Sequence, residues 1–222
     1  MKPDENSARW RTLLLRLAVT GVVLTIWFWT QSLLGARTPP AAGGIGDALH
    51  DLSSSLNSYF AQNPGAANAL LIASSALIDA LGLFLLGRWL FGGSVRPFLG
   101  LVLLMLLRQF LQALCSLPAP AGMIWHYPGF PSLLVTYHVA NDFFFSGHTA
   151  IAVFGATELY RFHRKSLTAF AILLVLFEVS TVLVLRAHYT MDVFTGILAA
   201  LWVARLSETV SPALDRRLAG NR

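Results

Sequence analysis

The chain has 222 residues, 55% of them hydrophobic and only 12% charged, with a formal net charge of +5. Soluble domains carry about 25% charged residues, so this composition excludes an ordinary soluble domain and a disordered chain and indicates an integral membrane protein. Its one cysteine, Cys115, excludes an intrachain disulfide and a thiolate metal cluster.

The apolar runs predict an all-α protein with six membrane-spanning helices, near residues 12–34, 66–88, 97–117, 143–162, 167–186 and 190–210. Each is close to the ~20 residues that a helix needs to cross ~30 Å of hydrocarbon. Span one is long and rich in Trp and Phe. The following Leu34-Gly35-Ala36 is a poor cleavage site, so it reads as a retained span and not a signal peptide. Between spans one and two, Ile45, Leu49, Leu52, Leu56 and Tyr59 recur at helical spacing. Residues 45–62 therefore read as an amphipathic helix in the membrane interface or as an ordinary loop helix, stopped by Asn63-Pro64-Gly65. The 118–142 loop carries Pro118, Pro120, Trp125, Tyr127, Pro128, Phe130, Pro131 and Tyr137. It suits either a cover over the site or an aromatic interfacial belt. No internal repeat divides the chain, which reads as a single membrane domain over 1–222.

Basic residues orient the spans. Lys2, Arg9, Arg11, Arg16, Arg88, Arg96, Arg161, Arg164, Lys165, Arg205, Arg216, Arg217 and Arg222 fall on one side, Arg37 and Arg186 on the other. Cytoplasmic segments collect Lys and Arg, so both termini are expected in the cytoplasm. This rule accounts for most of the basic excess, and nucleic-acid binding is not expected. The abundance of Arg over Lys and of Ala suggests a bacterial source, hence an inner membrane with the site facing the periplasm or exterior.

Chemistry concentrates in two places, FFFSGHTA at 143–150 and RAHYTMDVFTG at 186–196. Two crossings separate them, so His148 and His188 return to the same membrane face. Two histidines with a carboxylate, Asp192, four residues beyond one of them suit phosphoryl transfer through a phosphohistidine. In this reading His188 is the nucleophile, Asp192 accepts its Nδ1 proton and leaves Nε2 free, and His148 moves the proton of the leaving and entering alcohols. Ser146 and the backbone at Gly147, at a helix N-terminus, are candidates to bind the phosphate. Arg108, inside a span, either meets phosphate or pairs with Asp79 or Glu178. Arg186 is the other cation available to the phosphate. His50, His126, His138 and His163 lie outside any motif and read as solvated or interfacial. No metal-ligand spacing and no nucleotide loop appears, so neither metal nor cofactor is expected.

Ser146-Gly147-His148-Thr149 with His188-Tyr189-Thr190-Met191-Asp192-Val193 resembles the type 2 phosphatidic acid phosphatase (PAP2) superfamily. Within it, the chain is most similar to the sphingomyelin synthase-like branch that includes phosphatidylcholine:diacylglycerol cholinephosphotransferases. Asp142 before the first histidine motif and Arg108 before Leu117-Pro118-Ala119-Pro120 strengthen the likeness, which covers roughly residues 95–205. The resemblance implies a PAP2-type bundle and headgroup transfer from a phospholipid donor to a lipid alcohol, diacylglycerol or ceramide. Asp142 would support His148 or a substrate amine. Two departures stand out. Arg96-Pro97 is the only trace of the phosphatases' first motif and falls on the cytoplasmic side, and Val182 stands where they carry an arginine. The rival expectation is hydrolysis of a lipid phosphate or pyrophosphate.

Overall fold

The computed structural model describes residues 5–36, 45–130, 132–137 and 143–219. Among these the protein is all helical: α1 (Glu5–Gly35), α2 (Ala48–Leu52), α3 (Ser54–Gln62), α4 (Pro64–Phe91), α5 (Arg96–Leu114), α6 (Gly147–Tyr160), α7 (Lys165–Val184) and α8 (Thr190–Leu218). Five of them, α1, α4, α5, α7 and α8, are long and apolar enough to cross a membrane.

The predicted span 143–162 differs. Its helix, α6, has 14 residues and a rise of ~21 Å, short of the hydrocarbon thickness. Residues 143–146 enter it without helical structure, and Phe145 adopts a left-handed φ of 76°. Irregular backbone at this depth is tolerated where protein surrounds it and satisfies its polar groups. The Ser146 N–H donates to the Asp192 carbonyl at 3.1 Å, and Phe143 and Phe145 are buried. α6 sits centrally, packed by α4, α5, α7 and α8. Its Ala150, Ala152 and Gly155 let neighbours approach closely, and its Phe154 fills the space over Gly100.

Helix ends far from the histidines are tied by charge. Arg96 makes a two-pronged pair with Glu158, 2.8 and 2.6 Å. Arg161 meets Glu208 at 2.6 Å, and Asp215 accepts from the Val95 N–H at 2.7 Å. Arg96 is thus a structural partner at the C-terminal end of α6, the end opposite His148. α1 docks there through Arg16, whose Nη1 donates to the carbonyls of Trp89, Leu90 and Gly92 at 2.7, 3.1 and 2.7 Å. It thereby caps the last turn of α4.

The 45–62 segment forms two helices whose apolar stripe points outward. Leu49, Leu52, Leu56 and Tyr59 are exposed, whereas His50 and Asn57 on the other side are buried against the bundle. This is the inverse of a soluble amphipathic helix and fits a segment with lipid on its outer side.

Candidate functional site

His188 is aimed by the end of α7. The Arg186 N–H donates to the Leu183 carbonyl (3.1 Å) and the Ala187 N–H to the Val182 carbonyl (2.8 Å). This is a Schellman termination with its left-handed position, φ 53°, taken by Arg186. Glycine is the usual residue there; an arginine accepts the strain because its guanidinium is used. Nη1 donates to the Ala121 carbonyl (2.7 Å) and Nη2 to the His50 carbonyl (3.1 Å). Arg186, expected at the phosphate, therefore ties the 118–124 loop and α2 to this corner. It does not line the cavity that holds the histidines.

The expected Asp192–His188 hydrogen bond is also replaced. His188 Nδ1 lies 2.8 Å from the Phe143 carbonyl and 3.8 Å from Asp192 Oδ2. A carbonyl only accepts, so Nδ1 carries a proton, and in the neutral ring Nε2 keeps its lone pair. Asp192 Oδ2 instead accepts from the Tyr189 N–H (2.9 Å), closing the first turn of α8. Its Oδ1 is buried without a partner among the described residues. Asp192 thus stands beside the ring without being its hydrogen-bond acceptor.

His148 stands in the first turn of α6, buried, with Trp125 edge-on at 5.1 Å. Its Nε2 has no partner among the described residues. The Ser146 hydroxyl, expected at the phosphate, is engaged locally: it donates to Thr149 Oγ1 (2.9 Å) and accepts from the Thr149 N–H (3.3 Å), capping α6. Gly196 lets α8 meet this turn, since a Cβ there would lie 2.8 Å from the Ser146 carbonyl oxygen.

Arg108 reaches the same turn from α5. A Cβ on Gly147 would lie 3.2 Å from Arg108 Nε, so the guanidinium rests against the N-terminus of α6. Its Nη1 donates to Gln31 Oε1 of α1 at 2.8 Å. The alternative partners are engaged elsewhere: Asp79 accepts from the Leu133 and Leu134 N–H groups (2.7 and 2.8 Å), and Glu178 accepts from the Ser74 hydroxyl (2.6 Å). Asp142 and His138 lie outside the described residues.

One cavity joins His148, His188, Arg108 and Gly147. Its volume is about 60 Å³. Leu101, Leu104, Met105 and Arg108 form one face of α5 along it, so it runs from a charged end to an apolar one about two helical turns away. Trp125, Leu134, Val135 and Thr136 of the 118–137 loop line it too, while Tyr127 and Phe130 are exposed. The loop thus both covers the cavity and presents aromatic residues outward. Among the described residues no cluster of His, Cys, Asp or Glu has the geometry of a metal site.

Sequence reasoning missed three residues that hold this site. Asp47 caps α2 and accepts from the Thr190 N–H and hydroxyl at 2.5 and 2.6 Å. His50 Nε2 donates to the His188 carbonyl at 2.9 Å. Asn57 donates to the carbonyls of Gly122 (3.1 Å) and Val184 (2.9 Å). The signal was there: Asp47, His50 and Asn57 all lie off the apolar stripe of this segment.

Fold and site together define a helical membrane protein with a buried two-histidine centre, one arginine and an apolar extension to the cavity. The family model described as AtPDCT1/2 matches residues 47–209, and the chain belongs to that family. It is 23% identical over 192 residues to phosphatidylcholine:diacylglycerol cholinephosphotransferase 1 of Arabidopsis thaliana, covering 86% of this chain and 61% of that protein. The relative is a plant protein and gives no support to a bacterial membrane. No solved structure matches.

Proposed function

We propose that the protein is a lipid headgroup phosphotransferase of PAP2 type, which moves a phosphorylated headgroup from a phospholipid to a lipid alcohol. One observation carries this reading: His188, with Nδ1 committed to the Phe143 carbonyl, shares a cavity with His148, whose Nε2 is buried without a partner among the described residues, and with Arg108.

Neutral His188 attacks the phosphodiester phosphorus through Nε2. The N–P bond forms as the P–O bond to diacylglycerol breaks, and His148, which takes up a proton when the anionic phosphodiester enters the cavity, gives that proton to the departing alkoxide. In the second half the acceptor alcohol transfers its proton to His148, its oxygen bonds phosphorus, and the P–N bond breaks to return neutral His188. Arg108 and the first-turn N–H groups of α6 meet the charge on the phosphoryl oxygens, and Asp192 balances the positive charge that His188 gains. The apolar end of the cavity suits acyl or glycerol portions of the substrates. No step calls for a metal or cofactor. Six crossings, with α6 as the buried short one, and cytoplasmic termini put the site on the outer face, in line with the Lys and Arg distribution.

Transfer is favoured over hydrolysis by Arg96, which is committed to Glu158 at the opposite end of α6 and so cannot serve as a phosphatase's first motif. The test is purified protein in detergent with labelled phospholipid donors, with and without diacylglycerol or ceramide, beside His188→Ala. Label moving to the added alcohol, and lost in His188→Ala, is the expected result. Release of free phosphate or headgroup phosphate regardless of acceptor would establish a phosphohydrolase.

A further inference from the structure

α1 lies ahead of the 47–209 segment that matches the family, yet it reaches the reaction centre. Trp27 lines the cavity beside Arg108 and His148, and its carbonyl accepts from Gln109 Nε2 at 3.4 Å. Gln31, one turn further along α1 and 4% exposed, accepts from Arg108 Nη1 at 2.8 Å. The guanidinium therefore bonds the Gln31 amide through Nη1 while its Nε edge rests close against Gly147.

We infer that Gln31 is a positioning residue that aims Arg108 at the substrate phosphate, so that α1 completes the anion-binding half of the site. This rests on the reading of Arg108 as a phosphate ligand. The chemistry explains why the residue is an amide. A long side chain with four rotatable bonds, inside a bundle, has many poses, and an acceptor is needed to select one. A carboxylate would select it equally well but would cancel the positive charge that a phosphodiester must meet. A glutamine oxygen fixes the fork and leaves its charge intact.

The test compares two full-length variants that both loosen α1, at opposite ends. Gln31→Met keeps the length of the side chain and removes the amide. Arg16→Gln removes the inner-end tie to Trp89, Leu90 and Gly92. Each is measured by the KM for the phospholipid donor and by the rise in melting temperature caused by inorganic phosphate.

Gln31→Met should weaken phosphate binding and raise the donor KM about tenfold, the effect of losing one hydrogen bond to a charged group. Arg16→Gln should lower the melting temperature but leave the phosphate affinity and KM within twofold of wild type. Gln31→Met binding phosphate as wild type does, or Arg16→Gln losing it equally, would overturn the inference, and so would a wild-type protein insensitive to phosphate. If the wild type responds to phosphate, Gln31→Met does not, and no headgroup is transferred to any acceptor, the positioning role stands and the proposed reaction falls.

Discussion

Asp192→Asn separates two roles for a carboxylate next to a histidine. Were Asp192 the hydrogen-bond acceptor that fixes the tautomer, an amide would disturb the ring. Here the Phe143 carbonyl has that role, and an asparagine oxygen can still accept from the Tyr189 N–H as Asp192 Oδ2 does at 2.9 Å. What the substitution removes is a negative charge 3.8 Å from Nδ1. At an effective dielectric constant of ~20, a full positive charge at that distance is worth about 4.4 kcal/mol, and half a charge, as in the transition state, about 2.2 kcal/mol. The expected loss in kcat is therefore about 40-fold if half the charge has developed and exceeds about 1000-fold if all of it has. The melting temperature should change little. The assay is initial rate at saturating donor and acceptor, with a thermal melt on the same preparation. Activity within threefold of wild type would refute the electrostatic role. Unfolding would show instead that the carboxylate's contribution lies in closing the first turn of α8.

Arg96→Ala should destabilise the fold by about 3 kcal/mol, the low end for breaking a buried pair, because Glu158 would stay buried with Arg161 Nε, 3.8 Å away, in place of its two-pronged partner. Specific activity of the folded fraction should persist, since the pair sits at the far end of α6; a melt and a rate on the same sample decide it. Gly196→Ala should cost about 1–3 kcal/mol and lower activity as well, because its Cβ would press on the Ser146 carbonyl oxygen that starts the His148 turn; near wild-type values for both would disprove the close approach. Burial pushes the Asp47 carboxyl up, but the hydrogen bonds from the Thr190 side chain and backbone and from His50 outweigh it and hold it below its usual 3.8. With a depressed folded value, its stabilisation is complete above about pH 3.8 and is lost as pH falls through the folded value. The wild type should therefore lose more melting temperature than Asp47→Asn on going from about pH 5 to 3, and parallel losses would count against the latch.

The sequence by itself determined the membrane class, five of the helices to within a few residues except for the longer ends of α1 and α8, and the pairing of His148 with His188. Apolar run length and the return of a two-helix hairpin are local properties that hydropathy and rise per residue express directly. It also separated Arg96 from the two histidines by charge pattern alone.

Tertiary structure decided which partner each polar group takes. His188 and Asp192 stand at helical spacing, yet Nδ1 bonds a carbonyl 45 positions away in sequence. Arg108 had two candidate protein partners by depth, Asp79 and Glu178, and found another, Gln31, on a helix 77 positions earlier. Arg186 and Ser146 belong to the site motifs but spend their donors on loop carbonyls and a helix cap. The 143–162 run is apolar enough for a long helix but gives a short one, because a non-helical entry lets its backbone meet α8. Hydrogen bonds are short-range and directional, so whether two groups meet depends on how the helices cross and how the loops end, and no spacing within one segment encodes that.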